Sequence, residues 1–321
     1  MNLRGFINLD KPLGITSFDA VQRIRRASRV RRVGHAGTLD PNATGVLPIA
    51  IGEATRFVDE LVLARKRYHG VIALGVATDT YDVDGSVTAE RDASAVTAEA
   101  VTHALAAFRG TIAQTPPAYS AVKRGGEPAY RAARRGEPHE LAPRAVTVHA
   151  LTCAGIAGEG TPRPCVTVDI ECGKGFYVRS LAHELGAALG VGAHLAALTR
   201  TAVGPFTLAD ATPLALAERL LEAGAWETLV QAPDAVLANR PALVLGRLQA
   251  SAVRQGRDVV AMPAPGFRPR ARIETVRAYG PEGDLIALMT PGPTIGTWHP
   301  FRVLPHADGP SPIETVSQRR V

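Results

Sequence analysis

Apolar runs of strand length follow one another at irregular intervals in this chain, and that rhythm limits the fold more than any other feature. GFINL (5–9) and RYHGVIALGVA (67–77) read as strands, and GVLPIAI (45–51) as a buried one. Helical patterns interrupt them without a regular βαβ rhythm, so the chain reads as α+β. TSFDAVQRIRRASR opens with Thr16 and Asp19 at capping-box spacing and offers Phe18, Val21 and Ile24 as a shared face. GEATRFVDELV continues as a helix with Phe57, Val58, Leu61 and Val62 inward. A helix over about 97–109 carries Val101, Leu105 and Phe108 and stops at Gly110. Strands return at AVTVHAL and PCVTVDI, the second with Val166, Val168 and Ile170 on one face. After the turn CGKG, the residues Val178, Leu181, Ala182, Leu185 and Leu189 form one helical stripe, closed by Gly190. A boundary falls in APDAVLANRP (232–241). Beyond it DVVAM, RIETVRAYG, DLIALMT and PFRVL are short strands between Pro/Gly turns, the pattern of a small β-barrel-like module. The tail HADGPSPIETVSQRRV reads as unstructured.

The 321 residues suffice for two domains, and a net charge of +6 makes an acidic partner the expectation, nucleic acid first. Only Lys11, Lys66, Lys123 and Lys174 accompany 32 arginines, whose planar fork suits phosphate oxygens. Three cysteines without a CxxC pair argue against a disulfide scaffold or a zinc ribbon. No secretory signal and no apolar stretch near the roughly 20 residues needed to span a bilayer are evident, so a cytoplasmic protein with no membrane contact is expected. HEL at 183–185 lacks the second histidine of HExxH, GKG at 173–175 is no phosphate loop, and GxSxG does not occur. Metal, nucleotide-cofactor and serine-nucleophile mechanisms therefore have no sequence support.

What remains is GHAGTLDPNATG, with glycines at 34, 37 and 45 around Asp40. A plain Asp-Pro turn is the simplest reading of the dipeptide. Yet Pro41 holds Asp40 extended, the glycines let a bulky ligand approach the backbone, and His35 stands five residues earlier. Just upstream, Arg23, Arg25, Arg26, Arg29, Arg31 and Arg32 put six arginines within ten residues. The pattern suits a phosphate-binding wall beside a reactive carboxylate.

GHAGTLDPNATG is similar to the signature of the TruB-type bacterial tRNA pseudouridine-55 synthases. Further motifs follow in that family's order: NLDKPLGITS, IGEATRF, KRYHGVIALG, TPPAYSAVKRGGEPAYRAARRG, GKGFYVRSLAHELG and AHLAALTRTAVGPF. The likeness covers about 1–210, and the C-terminal module resembles the family's PUA RNA-binding domain more loosely. One departure is Thr199, where the family more often has a second arginine.

The resemblance implies a pseudouridine synthase fold: a mixed, largely antiparallel central sheet flanked by helices, over residues 1–238, with an RNA-binding arm at 115–143. A PUA-like domain at 239–305 and a disordered tail at 306–321 would follow. It implies isomerisation of uridine at position 55 in the T-arm of tRNA, without cofactor or metal; nothing in the sequence suggests more than a monomer, and no obligate protein partner is expected. Uracil leaves C1′, rotates and rejoins through C5. A carboxylate can act by adding to C6, by trapping C1′, or alongside proton loss at C2′ through a glycal.

By the same resemblance Asp40 is the catalytic carboxylate and Arg179 its cation. Tyr68 stacks on the flipped uracil, Tyr177 hydrogen-bonds in the pocket, Leu198 walls it, and His35 fills space left by the everted nucleotide. Lys11, Arg23, Arg26, Arg29, Arg32, Lys123, Arg124, Arg131, Arg134 and Arg200 are candidate RNA contacts, with Arg135, Tyr119 and Tyr130 also in the arm. The competing reading is a non-catalytic RNA-binding or tRNA-folding protein on the same fold; a uridine glycosidase ranks third.

Overall fold

The computed structural model describes residues 3–120, 122–137, 141–262 and 275–305, without the side chains of Lys123, Arg124, Pro128, Tyr130 and Arg134. The expected tail at 306–321 lies outside the described residues.

The first part of the chain forms β1 (Gly5–Lys11), α1 (Ser17–Ser28), β2 (Val33–His35), β3 (Ala43–Ile51), α2 (Val58–Leu63), β4 (Lys66–Leu74), β5 (Val76–Thr78), β6 (Val87–Glu90) and α3 (Ala98–Ala106). Then come β7 (Gly110–Gln114), β8 (Lys123–Arg124), β9 (Glu127–Pro128), α4 (Ala129–Arg134), β10 (Arg144–Ala157), β11 (Cys165–Cys172), α5 (Val178–Ala188) and β12 (Ala193–Val203). β13 (Phe206–Thr207), β14 (Thr212–Pro213) and α6 (Leu214–Glu222) close this part. The C-terminal module holds β15 (Ala242–Val244), α7 (Arg247–Arg254), β16 (Val259–Val260), β17 (Val276–Tyr279), β18 (Leu285–Pro291) and β19 (Thr297–Val303).

The large sheet runs β14-β1-β3-β12-β4-β11-β10-β7, with β2 on β3 and β13 on β12. Only β1 with β14 and β3 with β12 are parallel, so it is the mixed, largely antiparallel sheet expected. Two helix-covered cores lie along it. Ile72, Val168 and Ile170 pack with Val101, Leu105, Leu181 and Leu185 of α3 and α5; Ile7, Leu9 and Ile49 pack with Val21, Ile24, Leu214 and Leu221 of α1 and α6. Each fully buried leucine or isoleucine contributes about 1.5–3 kcal/mol. Tyr68 and Leu198 touch both cores, because β4 and β12 occupy the seam between them.

β12 is a long central strand that the sequence pattern does not single out. Register shifts between Leu195 and Ala197 and between Arg200 and Ala202 break its two-residue alternation, so the apolar signal loses phase. Two inward assignments also change. Phe18 is 63% exposed, because Ser17 turns inward instead and exchanges hydrogen bonds with Leu39. Val62 is exposed because the segment begins as a 3₁₀ turn (Gly52–Phe57), whose tighter winding shifts the helical phase. The Thr16–Asp19 capping box forms as expected.

The module is a five-stranded sheet, β15-β17-β18-β19-β16, with α7 against it and a core of Leu243, Val253, Ile286, Met289 and Trp298. That architecture fits a PUA-like domain. It docks on the large sheet through Leu285, Leu288 and Leu304, which join Phe6, Phe57 and Phe206. Arg302 pairs with Asp59 at 3.0 Å across the same contact. Among the described residues no helix is long and apolar enough to cross a membrane.

Candidate active site

One strand edge creates the loop that carries Asp40. β3 pairs with β1 along one side, while its other side is shared: β2 takes Ile49–Ile51 and β12 takes Ala43–Gly45. Residues 36–42 bridge the fork where β2 and β12 diverge, so the GTLDPN loop stands at the seam between the two cores.

Three anchors fix this loop. Ser17 accepts from the Leu39 N–H at 2.8 Å and donates to its carbonyl at 2.9 Å. Lys11, fully buried, donates from Nζ to the carbonyls of Ile15 at 2.8 Å, Pro12 at 3.0 Å and Pro41 at 3.5 Å. Arg200, 1% exposed, donates from Nε to the Val46 carbonyl at 2.7 Å, from Nη2 to Gly37 at 3.0 Å and from Nη1 to Thr38 at 3.3 Å. Two expected RNA contacts, Lys11 and Arg200, therefore face inward and hold backbone. Burial pulls the Lys11 ammonium down to about 8 despite the opposing pull of Asp40.

Asp40 itself reaches solvent, with its side chain 43% exposed, and Oδ2 lies 3.0 Å from Nη2 of Arg179, whose side chain is 8% exposed. Arg179 sits in the first turn of α5, where the helix dipole disfavours a cation. The surroundings offset that. Its guanidinium donates to the carbonyls of Tyr119 at 3.0 Å and Thr80 at 3.4 Å, and Asp82 Oδ2 stands 3.6 Å away. Asp82 is a candidate site residue that the motifs do not mark. It lies in the acidic run DTYDVDG (79–85), whose convergence on Arg179 depends on the turn after β5 meeting α5 in space. Asp82 is itself held by the Thr80 hydroxyl at 2.6 Å and by a backbone bridge to Leu195.

Tyr81, between these contacts, takes a left-handed conformation (φ 65°) and stacks on His183 with ring centroids 3.9 Å apart. His183 lies one helical turn beyond Arg179, so a single face of α5 grips the whole Thr80–Asp82 segment. A cleft of about 260 Å³, open to solvent, is lined by Asp40, Asn42, Ala43, Asp82, Arg179 and the Leu195–Leu198 segment.

Tyr68 and Leu198 are brought to the same place. Leu198 pairs with Ala43 on one side and Gly70 on the other, and Arg200 pairs with both Gly45 and Tyr68. Burial raises the Tyr68 hydroxyl above the usual tyrosine range, and the neighbouring Arg200 guanidinium opposes that rise. Tyr177 is fixed through its backbone: the Gln114 amide donates to its carbonyl at 3.1 Å and accepts from its N–H at 2.8 Å. Burial raises its hydroxyl too. His35 is half-buried at the end of β2, and burial with Arg200 nearby lowers its pKa, favouring the neutral ring; its Nδ1 has no partner among the described residues. Thr199 bonds Thr44 through their hydroxyls at 2.9 Å, tying β12 to β3.

Arg26, Arg29 and Arg31 are exposed at the end of α1. Arg23 pairs with Glu218, its Nε 2.7 Å from the carboxylate, and Arg32 pairs with Glu53 at 2.9 Å. In the arm, Arg131 is exposed and Arg135 forms a two-bond pair with Glu127 at 2.6 and 2.9 Å. The side chains of Lys123, Arg124 and Arg134 lie outside the described residues. No group of three His, Cys, Asp or Glu side chains converges on a metal position among the described residues.

A family model described as TruB family pseudouridylate synthase (N terminal domain) matches residues 25–178, and one described as tRNA pseudouridylate synthase B C-terminal domain matches 179–237. The chain is 42% identical to tRNA pseudouridine synthase B of Dechloromonas aromatica (strain RCB) over 304 residues, 95% of this chain and 96% of that protein. It is also 42% identical to the protein of that name from Arthrobacter sp. (strain FB24), over 89% and 92% of the two chains. Among solved structures, an H/ACA RNP bound to a substrate RNA containing 2′-deoxyuridine superposes with a TM-score of 0.69 at 26% identity, covering 95% of this chain and 86% of that one. A Cbf5-Nop10-Gar1 complex gives 0.65 at 29% identity, over 89% and 78%.

Proposed function

The chain belongs to the TruB family of pseudouridylate synthases, isomerases acting on tRNA uridine, and we propose that its target is the single uridine at position 55 of the T-arm, with Asp40 as the catalytic carboxylate. One observation carries this reading: Asp40 is open to the cleft while its other side is held 3.0 Å from a buried guanidinium. A carboxylate meant only to brace the fold would gain nothing from that exposure. One kept ionised and aimed at an incoming nucleoside needs both features.

The uridine enters everted, since neither C1′ nor C6 can be reached inside a stacked, paired arm, and eversion costs a few kcal/mol. Tyr68 offers its ring as a stacking platform, worth about 1–3 kcal/mol per base. Leu198 provides an apolar wall, Tyr177 a hydroxyl for the base edge, and His35 a neutral ring for the gap left in the RNA. Arg179 steadies Asp40 as charge shifts between carboxylate and sugar. Arg26 on α1, Arg29 and Arg32 in the segment just after it, and Arg131 in the arm meet phosphates, and no cofactor enters the chemistry.

The test is mass mapping of T-arm tRNA after incubation with purified protein, alongside tritium release from C5-labelled uridine. Wild type is expected to convert one uridine. Asp40→Asn is expected to convert none while binding tRNA with nearly the same affinity. Turnover by Asp40→Asn above background rejects Asp40 as the catalyst. Tight binding by wild type without conversion favours the non-catalytic RNA-folding alternative.

A further inference from the structure

The site contains a second buried arginine, Arg200, with no carboxylate at ion-pair distance among the described residues. Arg179 has Asp40 and Asp82 beside it. Arg200 instead donates to the main-chain carbonyls of Gly37, Thr38 and Val46, and its guanidinium is also within hydrogen-bonding reach of the Tyr68 side chain. Gly37, Thr38 and Val46 flank Asp40 on both sides. On β12, Arg200 is paired with Gly45 of β3 and with Tyr68 of β4, so it sits between the loop that carries the acid and the strand that carries the aromatic ring. Gly45 permits this approach. It holds φ 96°, and a Cβ there would come within 2.4 Å of the Arg200 carbonyl oxygen.

We propose that Arg200 is a positioning residue of the active site, whose planar fork fixes the Asp40 loop while its head seats the Tyr68 hydroxyl. This deepens the function proposed above and rests on it. Uncharged donors could tie three carbonyls together. A guanidinium does so and also projects positive charge toward the groups around it, where it disfavours protonation of His35 and Lys11 and favours ionisation of Tyr68. Burial of a cation without a carboxylate is costly, which argues against a purely structural tie. Exposure of 1% argues against a phosphate contact.

Two variants separate shape from charge. Arg200→Lys keeps the charge and loses the fork. Arg200→citrulline keeps length and planarity and loses the charge, and it decides the question if the lysine variant does not fold. Each is measured for kcat, for KM and tRNA affinity, and for the titration of 3-fluorotyrosine placed at position 68, read by ¹⁹F NMR.

Misplacing the acid should lower kcat by roughly 100-fold in Arg200→Lys, with tRNA affinity within about two-fold of wild type. In Arg200→citrulline the fluorotyrosine should titrate about one unit higher, as expected when a nearby cation is removed, and kcat should fall. Unchanged kcat in the variants that fold overturns the proposal. So does a loss of tRNA affinity that accounts for the loss of rate, or a fluorotyrosine titration that citrulline leaves in place. If instead wild type makes no pseudouridine, the function proposed above fails, while the titration still reports whether Arg200 governs Tyr68.

Discussion

The two parts of this molecule bury different things. In the large sheet, side chains of Asn8, Lys11, Lys66, Gln114, Arg179 and Arg200 are buried, four of them cationic. Among the described residues of the C-terminal module no charged residue is buried to that degree: Arg254 and Asp284 pair at 2.8 Å with both side chains partly exposed, and the core is Leu243, Val253, Ile286, Met289, Trp298 and their apolar neighbours. Both parts had the same arginine-rich sequence to draw on. Desolvating a cation costs several kcal/mol, so a region that takes in four of them gives up stability for something else. Lys11, Arg179 and Arg200 all lie around one exposed carboxylate. On the proposed reading, that concentration of buried cations is the preparation of a reactive carboxylate; the module keeps its Arg254–Asp284 pair partly exposed instead.

That contrast can be broken most directly at Arg179. Arg179→Met should lower kcat on the order of 10²–10³-fold with the protein still folded by circular dichroism. A variant at full activity would mean that the buried cations serve the scaffold alone. In the module the largest expected effect is on stability: Leu288, fully buried at the docking contact, should cost about 2–5 kcal/mol as Leu288→Ala in denaturant unfolding. Activity per folded molecule should hold.

A smaller effect follows from Lys66. Burial pulls its ammonium down to about 8 from the usual 10.5, so the unfolded chain holds a proton that the folded one gives up between these values. The stabilising difference is complete above 10.5 and is lost as pH falls through about 8. Burial lifts the adjacent Cys172 thiol to about 12 from 9, which works the opposite way above pH 9. From pH 8 to 9, then, wild-type stability should rise on the order of 1 kcal/mol relative to Lys66→Met. Parallel unfolding curves for the two proteins would remove Lys66 from the set of costly buried charges. The smallest change is expected at Leu248, 88% exposed on α7: Leu248→Ser should stay within about 0.5 kcal/mol of wild type in thermal melts.

Much of this was legible in the chain. The capping box at Thr16 and Asp19, the stripe of α5, the strands around 45–51 and 67–74, and the acid in its glycine loop each depend on residues close together in sequence. Local spacing alone is enough to read them. The sequence by itself determined these pieces and the kind of chemistry that the Asp40 loop could host.

Only the tertiary structure decided how they meet. β12 is hidden by two register shifts that break its alternation, yet it places Leu198 and Arg200 between the acid and Tyr68. Asp82 belongs to the site because β5, α5 and β12 bring its turn against Arg179. Arg26 and Arg200 are the same residue type, but one lies in water and the other under the Asp40 loop. The difference comes from where carbonyls and carboxylates of distant segments converge to replace the water a guanidinium gives up, and no run of neighbouring residues encodes that convergence.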